Sequence, residues 1–314
     1  MSQLTLPSQE QELLTRFCSN VKSVIYGKDE VVEKILMAML AGGHVLLEDV
    51  PGVGKTLLAK TIASTVEAKF KRIQCTPDLL PSDVSGVSIF NPENREFKFI
   101  KGPLFTQVLL VDEINRAAPR TQSCLLEAME ESQVTVEGNT YVLNRPFFVI
   151  ATQNPIEYHG TFELPEAQLD RFMVVLSLGY PSEVEENNIL EYYLNNDSFA
   201  VDSVLSIDEY LTLMNYLKTV NVSKEVRQYI VNIVNATRDN TNIRLGVSPR
   251  GGLALLKMSQ ASAMMAGRNY VTPDDVKKVA IEVLSHRVIP VHKRTLLANN
   301  SIISEIVGKV KVPE

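Results

Sequence analysis

The sequence predicts an α/β protein in which a parallel five-stranded sheet is followed by a smaller domain built only of helices. Two observations support this fold class. Up to about residue 181, short apolar runs that suit buried parallel strands alternate with segments of helical periodicity. Beyond Tyr180-Pro181-Ser182 the periodicity is helical throughout. We therefore predict a leader helix over 1–23, an α/β core over 24–181 and a helical domain over 182–314.

The composition is that of a soluble globular chain of 314 residues, with 45% hydrophobic residues and a formal net charge of −6. This net negative charge argues against general binding to nucleic acid. Cys18, Cys75 and Cys124 lack paired or metal-type spacing, so we expect reduced thiols in a cytoplasmic protein. The longest apolar stretch, 35–47, is too short to span a bilayer, and no secretory signal is visible. We expect no membrane insertion.

The segment from Val45 to Thr56 contains an apolar run, a loop rich in Gly and Pro, and the start of a helical pattern. Strand, loop and helix in this order are the context of a phosphate-binding loop, where backbone N–H groups and the helix N-terminus converge on a phosphate. Gly52 and Gly54 would let the backbone approach closely, Lys55 would supply a charge, and the Thr56 hydroxyl could bind Mg²⁺. The predicted nucleotide-binding loop comprises Asp49, Val50, Pro51, Gly52, Val53, Gly54, Lys55, Thr56 and Leu57.

Asp49 departs from the general pattern G-x-x-x-x-G-K-[ST], which has glycine at this position. Asp tolerates positive φ, so the turn can survive, and we expect its carboxylate to point away from the phosphate. The alternative is a glycine-rich turn before a helix that happens to contain Lys-Thr.

The turn Ile25-Tyr26-Gly27 precedes a predicted helix over 30–41, which Asp29 can cap. Tyr26 and Gly27 could lie against a nucleotide base, or the turn could belong only to the core. The sequence leaves both interpretations open, and we include both residues in the predicted nucleotide site.

A strand is predicted over 70–75, and alternating segments separated by Asn91-Pro92-Glu93-Asn94 predict a hairpin insert at about 84–101. The apolar run 107–111 then leads into Asp112 and Glu113. The carboxyl end of a buried parallel strand is where ligands bind in open α/β sheets. We expect Asp112 to hold Mg²⁺, mostly through water, and Glu113 to polarise an attacking water. The alternative is an acidic turn after a core strand.

Residues 119–131 predict a helix, and a second hairpin insert follows at about 132–145. The strand 146–152 ends at Gln153-Asn154-Pro155, where Asn154 could orient a water opposite Glu113. An ordinary Asn-Pro turn is the alternative. A short helix over 165–172 and a last strand over 173–178 complete the predicted core.

Helices are predicted near 183–196, 206–219, 223–239, 249–266 and 273–286, with no strand pattern among them. Arg250 lies in the first turn of the fourth of these, before two glycines. A cation there opposes the helix dipole, so we infer that Arg250 reaches a phosphate held by the other domain. A solvated surface arginine is the alternative.

Five segments in this order resemble the AAA+ ATPases, and more closely the MoxR family: GGHVLLEDVPGVGKT (42–56), LLVDEINRA (109–117), ATQNP (151–155), LPEAQLDRF (164–172) and GVSPRGGLALL (246–256). The resemblance implies a three-layer αβα P-loop domain followed by a small all-α lid. It also implies Walker A roles for Lys55 and Thr56, Walker B roles for Asp112 and Glu113, and sensor roles for Asn154 and Arg250.

Arg171 is similar to the family's arginine finger, which acts on the nucleotide of a neighbouring subunit and implies a ring, expected to be a hexamer. Arg116 is a second candidate for an interface role, and an ion pair with Asp170 is the alternative for Arg171. The resemblance implies hydrolysis of Mg·ATP by a chaperone of partner proteins with von Willebrand A domains. A nucleic-acid motor and a slow nucleotide-dependent scaffold are the competing functions.

Overall fold

The computed structural model describes residues 6–154, 161–195, 201–291 and 295–313. Its strands, numbered along the chain, are β1 (Val45–Glu48), β2 (Phe70–Gln74), β3 (Gly86–Asn91), β4 (Glu96–Lys101), β5 (Val108–Asp112), β6 (Gln133–Val136), β7 (Asn139–Val142), β8 (Phe148–Gln153), β9 (Val174–Leu176), β10 (Ile243–Leu245) and β11 (Ile289–Pro290). Its α-helices are α1 (Ser8–Lys22), α2 (Asp29–Leu40), α3 (Lys55–Thr65), α4 (Pro81–Ser85), α5 (Pro119–Glu131), α6 (Glu166–Leu169), α7 (Glu183–Asn195), α8 (Ile207–Leu217), α9 (Lys224–Arg238), α10 (Pro249–Met265), α11 (Pro273–Leu284) and α12 (Leu296–Lys309).

The central sheet has the strand order β2-β5-β8-β1-β9, and all of its neighbouring strands are parallel. β5 is buried along its whole length, as its continuous apolar run predicts. One hydrophobic cluster, formed with α1, α2, α3 and the helical domain, covers one face of the sheet, and a second cluster around α5 covers the other. The predicted αβα domain with a five-stranded parallel sheet is thereby confirmed.

The leader helix α1 is an integral part of this packing. Its buried side chains Leu13, Leu14, Phe17 and Val21 belong to the cluster that also contains α2 and α3. The Phe17 ring packs edge-on against the Tyr210 ring of α8 at 5.9 Å between centroids. α1 therefore joins the core to the helical domain.

The predicted cap of α2 is wrong. The helix begins at Asp29 itself, and Lys28 occupies the N-cap position without a side-chain cap. The Asp29 carboxylate lies in the first turn, where a negative charge favours the helix through its dipole rather than by capping.

The two hairpins, β3–β4 and β6–β7, are antiparallel pairs that lie outside the central sheet. Stacked rings of Phe99 and Tyr141, 4.3 Å apart, join one hairpin to the other. Phe97, in contrast, is 73% exposed at the outer part of the first hairpin. Both hairpins lie where the alternating sequence patterns predict them.

The helical domain contains a small sheet that the sequence did not predict. β10 and β11 pair antiparallel, and at three and two residues they are too short to show an alternating pattern. Two of the predicted helices begin at the predicted positions. Ser206 and Glu209 form a capping box at the start of α8, and the Ser248 hydroxyl accepts from the Gly251 N–H at the start of α10.

Arg287 links the helical domain to the segment of the core that precedes β9. Its buried guanidinium donates to the Asp170 carboxylate at 2.7 Å and to the backbone oxygens of Phe172 and Met173 at 2.6 and 3.1 Å. Burial lowers the pKa of Arg287 to about 10, against the opposing effect of Asp170. The group therefore stays cationic near neutral pH. Among the described residues, none of the helices combines the length and apolar character needed to cross a bilayer.

Candidate functional site

A cavity of about 210 Å³ opens at the carboxyl ends of β1, β5 and β8. It is lined by Pro51, Gly52, Gly54, Lys55, Thr56, Leu57, Arg72, Gln74, Asp112, Glu113, Thr152 and Asn154. The fold thus brings the predicted loop together with both predicted carboxylates and the predicted asparagine. This is the edge at which open parallel sheets bind ligands.

The loop between β1 and α3 owes its shape to two glycines with left-handed backbone. Gly52 and Gly54 both have φ of +88°. A Cβ at either position would meet nothing within 4 Å, so the requirement is the backbone angle and not space. Gly54 immediately precedes Lys55, the first residue of α3, whose first N–H groups lack intrahelical acceptors. The arrangement suits an anion at the helix start.

Lys55 is folded back onto its own loop. Its ammonium donates to the backbone oxygen of Asp49 at 2.9 Å. Burial lowers the pKa of Lys55, while the carboxylates of Asp49, Asp112 and Glu113 oppose that shift. Lys55 and Arg72 are the cations that line the cavity, and Arg72 is paired with Asp112.

Asp49 does not adopt the positive φ that its position in the motif allowed, because the left-handed turns fall at Gly52 and Gly54 instead. Its buried carboxylate accepts hydrogen bonds from the Ser177 hydroxyl at 2.8 Å and from the N–H groups of Leu178 and Gly179 at 2.7 and 2.9 Å. None of these donors lines the cavity. The carboxylate points away from it, as expected.

Asp112 is held by two residues that the sequence analysis missed. Its Oδ2 accepts from Arg72 Nε at 2.6 Å, and its Oδ1 accepts from the Thr152 hydroxyl at 3.2 Å. Their positions were the only signals in the sequence. Arg72 and Gln74 lie two residues apart on β2, and Thr152 lies near the end of β8, the strand that pairs with the strand of Asp112. Arg72 belongs to no recognisable motif, and Thr152 lies in the segment ATQNP (151–155), in which only Asn154 was assigned a role.

Glu113 has a left-handed backbone with φ of +55°, which is uncommon for a residue with a side chain. Its N–H donates to the Thr152 hydroxyl at 2.9 Å. Its Oε2 accepts from Gln74 and from Arg116, each at 3.0 Å. Arg116, predicted as a candidate for an interface role, is thus paired with Glu113 of its own chain.

Asn154 is buried at the end of β8 and contributes to the cavity wall. Pro155, the second residue of the predicted Asn-Pro turn, lies outside the described residues. Tyr26 and Gly27 do not line the cavity. Gly27 lies against Glu185 of α7, whose side chain fills the space that a Cβ would take. Their contact with a base stays a prediction.

Arg171 and Arg250 lie in a different place. Both line a cavity of about 290 Å³ that shares no lining residue with the first. Both are ion-paired with Glu130 of α5, Arg171 at 3.2 Å. Arg250 does not line the first cavity in this structure, and its contact with a phosphate stays a prediction. Asp170, the alternative partner of Arg171, binds Arg287 instead, and Arg171 pairs with Glu130.

Comparison with known proteins agrees with this architecture. Residues 44–174 match the ATPase family associated with various cellular activities (AAA), and residues 235–306 match the AAA lid domain. A crystal structure of a proposed ATPase from Cytophaga hutchinsonii superposes with a TM-score of 0.89, at 37% identity, over 97% of this chain and 96% of that one. The fold and the cavity together define an ATPase domain of the AAA class with its lid.

The relatives narrow this class. The chain is 38% identical to Chaperone MoxR1 of Mycobacterium tuberculosis over 97% of this chain and 84% of that protein. It is 27% identical to Protein MoxR of Methylorubrum extorquens over 88% of each. It is 47% identical to the uncharacterised protein YeaC of Bacillus subtilis over 96% of this chain and 95% of that protein. The chain belongs to the MoxR family of AAA+ ATPases.

Proposed function

We propose that this protein binds Mg·ATP in the cavity at the end of the sheet and hydrolyses it to ADP and phosphate. The observation that carries the proposal is the convergence of Lys55, Thr56, Asp112, Glu113 and Asn154 around one cavity. A helix N-terminus, an ammonium, a hydroxyl and two carboxylates are the groups that a magnesium–triphosphate requires. The donor set therefore fits both nucleotide and metal.

The loop would bind the phosphates through its N–H groups, with Lys55 leaving the Asp49 oxygen to pair with the outer phosphates. The Thr56 hydroxyl and the Asp112 carboxylate would hold Mg²⁺, with Asp112 acting mostly through water. When bound, Mg²⁺ neutralises charge on the phosphates. Tyr26 and Gly27 would border the base.

Glu113 would accept a proton from the attacking water, and Asn154 would orient that water. In the structure Glu113 Oε2 already accepts from Gln74 and Arg116. Both bonds go to Oε2, so Oε1 is the oxygen that would accept the proton of the attacking water.

Arg171 and Arg250 would act on the nucleotide of a neighbouring subunit. Their position on a separate cavity, with Glu130 as shared counter-ion, supports this assignment. A neighbouring phosphate would replace Glu130 as their partner and complete the site. The assembly we propose is a ring, and a hexamer by family resemblance.

The biological role we propose is that of a cytoplasmic chaperone that remodels partner proteins, in particular ones with von Willebrand A domains. The name Chaperone MoxR1 of one relative supports the class of activity, while the client class rests on family resemblance. Hydrolysis would move the helical domain, and the two hairpins would transmit that motion to the client.

Phosphate release by the wild type, Lys55→Ala and Glu113→Gln tests the proposal. Lys55→Ala should lose ATP affinity in calorimetry, and Glu113→Gln should bind ATP but turn over at least about a hundredfold more slowly. Wild-type turnover by Glu113→Gln would refute the assignment. The same variant with ATP, used as bait, should retain the client, and a Lys55→Ala bait is the matched control.

A slow nucleotide-dependent scaffold is the second candidate, and one observation favours it. Both carboxylates of the site are ion-paired to arginines of the same chain, Asp112 to Arg72 and Glu113 to Arg116. Slow hydrolysis that neither higher protein concentration nor the captured client accelerates would support the scaffold.

A further inference from the structure

Asp49 places a carboxylate inside the phosphate-loop motif, and the residue is only 4% exposed. Burying a charge is costly unless hydrogen bonds replace its hydration. Here a hydroxyl and two backbone N–H groups do so, all from residues 177–179. The residue therefore forms a specific link between the loop and the segment that follows β9.

The backbone of Asp49 is linked to the opposite side of the site. Its oxygen accepts from Lys55 at 2.9 Å, and its N–H donates to the oxygen of Gln153 at 3.1 Å. Gln153 directly precedes Asn154. A single residue thus contacts the phosphate-loop lysine, the end of β8 and the end of β9.

The segment from 177 to 182 leads to α7, the first helix of the helical domain. Beyond its contacts with Asp49 it is held by Lys28, which donates to the Tyr180 oxygen at 2.9 Å and pairs with Glu185 at 3.7 Å. The Ser182 N–H donates to Glu185 at 2.7 Å. Asp49 therefore links this segment to the phosphate loop.

We propose that Asp49 is a positioning residue that transmits nucleotide occupancy of the phosphate loop to the segment 177–182. The inference rests on the nucleotide site proposed above. Phosphate binding draws Lys55 away from the Asp49 oxygen and fixes the loop N–H groups around the ligand. Because the Asp49 carboxylate is bonded directly to the N–H groups of Leu178 and Gly179, a more ordered loop makes those two bonds open less often.

Hydrogen–deuterium exchange of peptides covering 177–182, with and without saturating ADP and Mg²⁺, tests the inference. In the wild type, ADP should slow exchange at these amides by about tenfold, the scale of one hydrogen bond to a charged group. Asp49→Gly introduces the glycine of the general motif, and calorimetry gives its ADP affinity, so that exchange is compared at ADP concentrations that saturate the variant. Its amides at 178 and 179 should exchange fast whether or not ADP is present.

Asp275→Asn is the matched control, because Asp275 is an equally buried aspartate that accepts from Thr272 and Arg268 within the helical domain. This variant should keep the full response to ADP at 177–182. A general loss of stability after removing a buried carboxylate would instead weaken the response in both variants.

Persistence of the ADP response in Asp49→Gly would overturn the inference, as would its absence in a wild type that binds ADP. Failure of the wild type to bind ADP refutes the nucleotide site itself, which calorimetry reports separately. Should Asp49→Gly not fold, Asp49→Asn keeps the shape but loses the charge, and its amide nitrogen cannot accept from the donors of the segment 177–182. A full response to ADP in Asp49→Asn would then contradict the proposal.

Discussion

Replacing Thr152 by valine removes one hydroxyl from the candidate site and leaves the side-chain shape almost unchanged. This hydroxyl accepts from the Glu113 N–H at 2.9 Å and donates to the Asp112 carboxylate at 3.2 Å, and Thr152 is only 1% exposed. The Thr152 hydroxyl thus joins both Asp112 and Glu113 to β8. Valine would leave the Glu113 N–H without this partner in a part-buried position.

The cost can be estimated from these contacts. A buried N–H that loses its only partner costs about 1–3 kcal/mol. The longer bond to Asp112 adds less, since 3.2 Å is near the upper end for a hydroxyl donor. We therefore expect Thr152→Val to lower the free energy of unfolding by about 2 kcal/mol. If the same energy holds Glu113 in its catalytic position, turnover should fall by about thirtyfold.

Calorimetric unfolding and phosphate release measure the two effects. The matched control is Thr152→Ser, which keeps the hydroxyl and removes only a methyl group. We expect the serine variant to retain most of the turnover and the valine variant to lose it. Equal turnover in the two variants would show that the hydroxyl does not position Glu113, and the reasoning would be refuted.

Three further predictions follow from the geometry. Arg72→Gln should raise the affinity of the nucleotide-bound protein for Mg²⁺ by about twofold to fivefold, because the partly exposed arginine competes with the cation for Asp112. An unchanged Mg²⁺ affinity in titration calorimetry would contradict this. Burial lowers the pKa of His44 to about 4 from 6.5, so between these pH values the unfolded chain binds a proton at His44 and the folded chain does not. This contribution to the free energy of unfolding is complete above pH 6.5, and about 3 kcal/mol is lost as the pH falls to 4. The free energy of unfolding of His44→Gln, measured in urea, should therefore depend less on pH than that of the wild type. Mixing Arg171→Ala with Lys55→Ala subunits should restore some hydrolysis if the arginine acts across an interface, whereas mixtures no more active than the separate variants would count against that action.

The sheet and the motif-bearing residues could be predicted because their signals are local. The run 108–112 is apolar at four of five positions and ends at a carboxylate, which is enough to place Asp112 at the edge of a parallel sheet. The loop from Gly52 to Thr56 carries its conformation in its own glycines. Each prediction used only neighbours in the chain.

The remaining parts of the site depend on contacts between distant segments. Arg72 reaches Asp112 across 40 positions of the chain, and Asp49 meets Leu178 across 129. Such pairings are set by strand order and register, which periodicity does not encode. The strands β10 and β11 were missed for a related reason, because so short a pair exists only through its tertiary pairing.

The pairing of Arg250 with Glu130 could not be predicted, because a cation in the first turn of a helix indicates a nearby anion but does not identify it. Its helix start bonds to Asp170 through the Ser248 hydroxyl at 2.9 Å, and Arg287 holds the other oxygen of the same carboxylate. Arg171 is the next residue in the chain. The helical domain and the Arg171 segment are therefore held together, and Glu130 pairs with both arginines. A phosphate presented from outside the chain would compete with Glu130 for the two cations at once, so any movement of the helical domain that shifted Arg250 would also shift Arg171.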